Sequence, residues 1–488
     1  MLNFNLYSET ERINRLVARG AKTALTGKEF LELEIAKWKR GEQRKAQLVG
    51  AQYYRGEHDI LQRKRTVIGQ DGRLQTVENL PNNRIVDNQY AKLVDQKANY
   101  LVGQSFSVDT DNSQYAEALT KVFDRRFMRV LRNLCEDSLN CGIAWLYVHY
   151  DAAGQLCFKR CQPFEILPFW ADAEHTKLDC AVRLYEVLSY EGALEQIIEK
   201  VEVYRATGVE RYTLSNGKLV PDTDEVVAHV SLTDADGGRT GLNWQRIPLV
   251  SFKYNNKETP LISRVKSLQD GINQMLSDFQ NNMQEDSRNT ILVVKNYDGQ
   301  NLAEFRHNLA TYGAVKVRTI DGAEGGVDTL TVQVNAANYQ AILQLLKKAM
   351  TENARGFDAK DDRLGNNPNQ MNIQSMYSDI DLDANEMETE YQASFEELLW
   401  FINAHFANSG LGDFGGDTAQ VQFRRAVLVN EMAVIEGIVK SVGVLSDQTL
   451  LAKHPWASDV QAELARLKKQ RAATMGGYGL PTAADGEE

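Results

Sequence analysis

Apolar residues recur three or four positions apart through Val265, Leu268, Ile272, Met275, Phe279 and Met283, the period of a helix that buries one face. The pattern predicts a helix from about Pro260 to Asp286, which at ~1.5 Å per residue is ~40 Å long. Tyr339, Ile342, Leu345, Leu346 and Ala349 mark a second helix, Ala336 to Ala354. Met376, Ile380, Met387, Tyr391, Phe395, Leu398, Leu399 and Ile402 mark a third, starting near Met371. Between the second and third lies a polar stretch, Gly356 to Asn369, with almost nothing to bury.

The same period governs the N-terminal part. Ser8 to Gln47 reads as largely helical, with Thr26 as an N-cap and Glu29 completing a capping box. Leu48 to Gln52 follows as a short link. A hairpin turn is expected at Asp71-Gly72. Asn82 to Asn88 leads into a helix that Gly103 closes after Val102, and one continuous helix is expected from Ser113 to Asn140. From Ile143 the period falls to two, and an antiparallel β region is expected as far as Tyr254. Its strands are Ile143–Tyr150, Gln155–Arg160, Cys180–Ser189, Ile198–Thr207, Glu210–Leu214 and Val226–Ser231, with a surface loop at Asp234–Gly241. After the long helix, short strands are expected at Thr290–Val294, Ala314–Ile320 and Leu330–Val334, around a helix at Leu302–Leu309. The C-terminal part reads as a strand at Gln420–Phe423 and helices at Asn430–Val442 and Asp459–Thr474, joined by a link through Gly443–Leu451. Gly476 to Glu488 reads as a disordered tail. The fold class is α+β.

Composition narrows the function. The 488 residues are 43% hydrophobic and 25% charged, ordinary for a folded chain of more than one compact unit. No apolar run reaches the ~20 residues of a membrane helix, so no membrane partner is expected, and no export signal is visible at Met1–Asn5. The odd count of five cysteines then fits reduced thiols. Cys157, Cys161 and Cys180 with His175 lack a usual zinc spacing and read as buried small hydrophobes. The net charge of −11 is the wrong sign for a protein that grips nucleic acid. The basic run Gln62–Arg65 is a small footprint, better read as a solvated loop or a charge partner.

Catalytic motifs are missing: there is no phosphate-binding glycine loop, nucleophile elbow or His-Glu-x-x-His helix. Asp379, Asp381, Asp383, Asn385 and Glu390 match the spacing of a calcium loop, but Ala384 stands where its glycine belongs. An acidic helix face is the better reading. No catalytic residue, metal or cofactor is expected. An enzyme site around Asp361, Asp362 and Asp379 lacks a convergent nucleophile and base.

Several segments, in order, resemble the portal proteins of tailed bacteriophages, of the type found in long-tailed phages of Bacillus. They are Tyr53–Ile60, Asn82–Asn88, Leu101–Gln104, Ile247–Lys253, Ser375–Leu382 and Thr449–Trp456, and the likeness runs from about Thr26 to Thr474. The resemblance implies a ring, usually of twelve subunits, at one capsid vertex of the virion, assembled in the host cytoplasm, through which double-stranded DNA is packaged and ejected. It implies a terminase large subunit, a head-completion or adaptor protein, and capsid and scaffolding proteins as partners. By position it implies a wing at 1–259, stem helices at 260–286 and 336–355, and a small α/β clip at 287–335. A tunnel loop follows at 356–370, then a long wing-spanning helix and link at 371–416, a helical crown at 417–475 and the tail at 476–488. Lys360, Arg363, Asn366 and Asn367 would then meet DNA, and Lys295, Asn296, Tyr297, Asp298 and Gln300 would dock motor or adaptor. An acidic channel that lets a polyanion slide fits this reading. The rival is an oligomeric bacterial scaffold or adaptor with no DNA in its bore.

Overall fold

The computed structural model describes residues 26–68, 72–77, 80–192, 194–223, 226–233, 239–286, 290–295, 326–331, 336–358, 370–425, 431–457 and 460–477, with single positions between 301 and 318. They form two compact units. One comprises residues up to Phe357 together with Asp379–Arg425; the other comprises Asp358–Ser378 and the chain from Ala426 onward.

In the first unit, helix α1 (Gly27–Lys39) starts at the expected capping box. Thr26 Oγ1 accepts from the Glu29 N–H at 3.2 Å, and the Glu29 carboxylate accepts from the Thr26 N–H at 2.8 Å. Helix α2 (Glu42–Tyr54) runs through the expected link at Leu48–Gln52. It lies so close to the end of a later helix that a Cβ on Gly50 would fall 1.8 Å from the Asn140 carbonyl oxygen. Strands β1 (Thr66–Ile68) and β2 (Leu74–Thr76) make the expected hairpin and, among the described residues, pair only with each other.

Helix α3 (Gln89–Val102) is capped by Asn88, and β3 (Ser107–Asp109) follows. The single helix expected from Ser113 to Asn140 is two, α4 (Ser113–Val122) and α5 (Arg125–Cys141). Asp124 divides them: its carboxylate accepts from the N–H groups of Arg126 and Phe127 at 2.8 and 2.9 Å. Such N-cap bonds restart a helix better than they continue one.

The β region is three sheets rather than one. Its strands in order are β4 (Ile143–Tyr150), β5 (Leu156–Cys161), β6 (Ile166–Trp170), β7 (Leu178–Glu191), β8 (Leu194–Arg205), β9 (Gly208–Ser215), β10 (Lys218–Pro221), β11 (Val230–Thr233), β12 (Arg239–Leu242) and β13 (Leu249–Lys253). Strand β4 lies between β13 and β5, strands β6 to β10 form an antiparallel meander, and β11 pairs with β12. Part of the expected surface loop is therefore strand, and β10 was not foreseen. Helix α1 covers one face of the meander through Phe30, Leu31 and Ile35 against Phe169, Val182 and Val203. Trp145 of β4 stacks on Trp170 of β6 at 5.8 Å, in a second apolar cluster that also holds Cys161. Cys180 lies in the first cluster and His175 bonds Glu258 at 2.7 Å, so these residues do not converge.

Three long helices follow: α6 (Ile262–Asp286), α7 (Ala336–Asn353) and α8 (Gln370–Asn408), with a hairpin of β14 (Thr290–Lys295) and β15 (Gly326–Thr331) between α6 and α7. The expected strand at Ala314–Ile320 and helix at Leu302–Leu309 fall almost wholly outside the described residues. From Tyr391 on, α8 supplies the centre of the largest core, where Phe395 meets Phe127 of α5 and Phe252 of β13 edge-on at 6.1 and 5.8 Å. Strand β16 (Gln420–Gln422) returns to pair with β3.

In the second unit are α9 (Glu431–Lys440), α10 (Asp447–Lys453) and α11 (Val460–Gly477). Helix α10 occupies what was expected to be a link. Its N-cap is Ser446, whose hydroxyl accepts from the Thr449 N–H at 3.3 Å. Helix α11 continues into the expected tail as far as Gly477, and the remainder lies outside the described residues. Among the described residues no helix is long and apolar enough to cross a membrane.

Helix α6 departs most from expectation. Val265 and Ile272 are buried, but Met283, at the end of the same stripe, is 53% exposed. The fully buried stripe is polar: Gln269, Asn273, Ser277 and Asn281, four residues apart. Three of them accept a main-chain N–H from the extended segment before α3, and Gln269 accepts one from the first turn of α3. Asn83 donates to Asn281 at 2.8 Å, Ile85 to Ser277 at 2.9 Å, Asp87 to Asn273 at 3.0 Å and Tyr90 to Gln269 at 3.0 Å. The match is geometric. Four residues of helix advance ~6 Å and two residues of extended chain ~6.6 Å, so from Asn83 to Asp87 every second N–H meets the next turn; the last step, to Tyr90, spans three residues as the chain enters α3.

His58, stacked on Tyr53 at 4.4 Å, closes the ladder. Asn273 Nδ2 lies 2.7 Å from its Nδ1, and its Nε2 lies 3.0 Å from the Tyr53 carbonyl. The amide donates to Nδ1 and Nε2–H donates to the carbonyl, which needs the neutral ring; burial lowers its pKa and favours that form. Replacing Asn273 or Ser277 by Ala strands a buried N–H and should cost ~1–3 kcal/mol each. Met283→Ala should cost under ~0.5 kcal/mol. Urea unfolding of the three variants checks the order, and equal losses would refute it.

Candidate functional site

The polar stretch after α7 was the expected point of function, and its root is well defined. Helix α7 ends in a Schellman motif: Gly356 N–H donates to Thr351 O at 2.8 Å and Arg355 N–H to Glu352 O at 3.0 Å. The left-handed position is held by Arg355, with φ +51°, where glycine is usual. The next residue could not be larger, since a Cβ on Gly356 would lie 2.5 Å from Leu93 Cδ2. Phe357 is buried, an apolar exception at the start of a stretch expected to have almost nothing to bury. Its N–H donates to Gln96 Oε1 at 2.9 Å, and Gln96 Nε2 donates back to its carbonyl at 2.7 Å.

Beside this root sits a buried carboxylate, Asp383 of α8. Lys97 Nζ of α3 donates to Asp383 Oδ2 at 2.7 Å and to the Arg355 carbonyl at 3.0 Å. Tyr254 Oη donates to the same carboxylate oxygen at 2.8 Å, and Arg264 of α6 reaches the other at 3.2 Å. The Arg355 guanidinium lies 3.7 Å from Asp383 and from Glu386. Burial pushes the Lys97 ammonium pKa down, and the adjacent Asp383 opposes that shift. One carboxylate thus ties α3, α6, the end of β13 and the exit of α7 to α8.

Asp381 and Asn385 on the same helix serve a second cation. Arg425 reaches Asp381 at 2.9 Å and Glu388 at 2.7 Å, and also bonds Asn385; Tyr100 Oη donates to Asp381 at 2.5 Å. The residues with calcium-loop spacing therefore lie on a continuous helix, three of them engaged by Lys or Arg. Asp379 is exposed.

Lys360, Arg363, Asn366 and Asn367 lie outside the described residues, as do Asp361 and Asp362. So do Asn296, Tyr297, Asp298 and Gln300; Lys295 ends β14 opposite Gly326 and is exposed. Of the expected contact residues, Lys295 alone lies among the described ones. The root of the 356–370 stretch is described; Gln96, Lys97 and Arg355 there were not singled out by sequence, and Asp383 was marked for its calcium-loop spacing. Elsewhere in the first unit a cleft of about 600 Å³ opens between α8 and β16, lined by Asp109, Asp111, Glu396, Trp400 and Asp417. Asp417 accepts from Asn112 and Asp109 from Gln422.

Comparison with known proteins adds to this geometry. Residues 37–477 match a family model described as phage portal protein, SPP1 Gp6-like. The portal protein of Bacillus phage SPP1 is 27% identical over 426 residues, covering 87% of this chain and 83% of that protein. The portal protein of Clostridium phage phiCD119 is 26% identical over 432 residues, covering 86% and 91%.

Asp383→Ala would leave Lys97 buried without its carboxylate and should destabilise the first unit by ~3–5 kcal/mol. Adding Lys97→Met should restore a good part of that loss. Thermal unfolding of the single and double variants checks this, and a double variant less stable than Asp383→Ala would contradict it. Arg355→Gly should be ~1 kcal/mol more stable than Arg355→Ala, because only glycine adopts the positive φ at little cost.

Proposed function

Because this chain belongs to the SPP1 Gp6-like family of phage portal proteins, a family of structural virion components rather than enzymes, we propose how its parts serve passage of a genome. Twelve copies close into a ring at one capsid vertex. Double-stranded DNA enters through the bore during packaging and leaves through it at ejection. A terminase large subunit and later a head-completion or adaptor protein dock on the ring, beside the major capsid and scaffolding proteins. The observation that carries this reading is the family match over residues 37–477. It displaces the rival of a bacterial scaffold.

We read residues 1–259 as the wing, 260–286 and 336–355 as the stem, 287–335 as the clip and 356–370 as the tunnel loop. Residues 371–416 form the long wing-spanning helix and its link, and 417–475 the crown. The order of elements supports this division: the β14–β15 hairpin leaves and re-enters a pair of packed helices, α6 and α7. Lys295 with Asn296, Tyr297, Asp298 and Gln300 are then the docking residues of the clip, and Lys360, Arg363, Asn366 and Asn367 the DNA contacts of the loop.

Charge suits the task. A channel protein must not hold the polymer it conducts, and phosphate clamps built from many Lys and Arg bind DNA tightly. With −11 per chain, a ring repels DNA at long range and leaves short-range contacts to the loops. Two cations in the 356–370 stretch between Gly356 and Gln370, Lys360 and Arg363, stand among Asp358, Asp361 and Asp362. Asn366 and Asn367 offer neutral hydrogen bonds to phosphate oxygens. A loop that touches a moving polymer also needs a fixed base, and the bonds at Arg355 to Phe357 supply one end of it.

Replacing Lys360 and Arg363 together by Ala should leave ring assembly intact and lower the DNA packaged or retained per particle several-fold. Electron microscopy of rings and nuclease-protected DNA in particles measure the two effects. Full packaging by the double variant would remove these residues from the DNA path.

A further inference from the structure

Among the described residues several β ribbons of the first unit extend beyond any larger sheet, and two of them carry charge of opposite sign. The longer is the outer part of β7 and β8. Pairing of β7 with β6 stops at Arg183, and pairing of β8 with β9 stops at Glu199. Beyond those points, among the described residues, the ribbon pairs only with itself. It forms an arm over residues 186–199 with both edges open.

Both faces of the arm carry exposed apolar side chains among their polar ones. Val187 lies opposite Ile198, Leu188 opposite Ile197, and Tyr190 opposite Glu195. Tyr190 is 63%, Ile197 64% and Leu194 72% exposed. A two-stranded ribbon is marginal alone in water, and clustered exposed apolar side chains mark a surface that something covers. The charge on the arm has one sign: residues 186–199 carry four glutamates and no lysine or arginine, of which Glu199, at the root, pairs with Lys39 of α1 at 2.5 Å.

The shorter hairpin, β1–β2, is its complement. Among the described residues it pairs with no other strand, and Leu74 on it is 73% exposed. Residues 62–77 carry four cations, Arg63, Lys64, Arg65 and Arg73, against one carboxylate, Asp71; Arg63, at the root of the hairpin, is engaged by Asp278 of α6.

We propose that the acidic arm of one copy docks on the basic β1–β2 hairpin of the next copy. Leu188, Tyr190 and Ile197 would pack against Leu74, with Glu186 and Glu195 facing Lys64 and Arg73. A second arm is a poor occupant, because two arms together would set Glu186, Glu191 and Glu195 of one against the same residues of the other. The contact is therefore heterologous: each copy gives its arm on one side and its hairpin on the other. Such head-to-tail contacts generate rings when the rotation closes. The choice of a second copy as occupant rests on the portal reading above; the pairing of these two hairpins goes beyond it.

The test uses the full chain. Tyr190→Cys combined with Leu74→Cys should, on mild oxidation, give a ladder of covalent oligomers that neither single variant gives. Glu186→Lys with Glu195→Lys should lower the fraction of chain in rings at least threefold at physiological salt, and so should Lys64→Glu with Arg73→Glu. Mixing the two reversed chains, or combining all four substitutions in one chain, should restore rings, since arm and hairpin are again opposite in sign. Native mass spectrometry reads the ring fraction. Wild-type rings with no cross-link, and reversals that leave ring yield unchanged, would overturn this contact while leaving the portal reading in place. A wild-type chain that stays monomeric at every concentration would overturn both.

Discussion

Four buried polar side chains on one helix hold the centre of this molecule together. Gln269, Asn273, Ser277 and Asn281 form a buried polar stripe beside the apolar one of Val265 and Ile272, and they accept main-chain N–H groups from the extended segment before α3 and from Tyr90 in its first turn. An extended chain buried against a helix would otherwise leave every inward N–H unsatisfied, at a cost of a few kcal/mol per group. The ladder removes that cost and, unlike apolar packing, fixes register, because a slip of one residue turns the N–H groups away. The segments around it, Tyr53 to Ile60 and Asn82 to Asn88, are among those that carry the likeness to portal proteins. Their shared role here is to seat one helix against its neighbours.

The Asp383 cluster extends the same logic to the exit of α7. Ion pairs exposed to water contribute little, but this carboxylate and Lys97 are both buried, so each depends on the other. Lys97 also caps the Arg355 carbonyl, which joins the strained left-handed residue to the cluster. Helices cross-tied by polar groups resist sliding, and the chain that leaves them at Phe357 starts from a fixed point. The contact proposed between copies asks for a different kind of surface, and the acidic arm and basic hairpin have the exposed apolar side chains and opposite charge to provide it.

Periodicity in the sequence marked α3, α6, α7, α8, the strands from Ile143 and the Thr26 capping box, because each has a local cause: apolar spacing, a glycine stop or a cap. Where one local signal competed with another, reading failed. Asp124 lies inside an unbroken apolar period, yet its carboxylate ends one helix and begins the next. Ser446 opens a short helix within an apparent link for the same reason. On α6 the four-residue spacing of Gln269, Asn273, Ser277 and Asn281 was present to be seen, but polar residues in a helix ordinarily face water.

The sequence alone determined the class of the fold, the absence of familiar catalytic motifs, the acidic charge that suits a DNA conduit, and the family to which the chain belongs. Those follow from composition, period and order, which need no knowledge of distant contacts. Only the tertiary structure decided which stripe of α6 is buried, that Asp383 and Lys97 meet across 286 residues, and that Arg355 takes a conformation normally left to glycine. The physical reason is that a polar side chain has no fixed preference for inside or outside. Its place depends on whether a partner arrives at hydrogen-bond distance, and that partner is supplied by the fold.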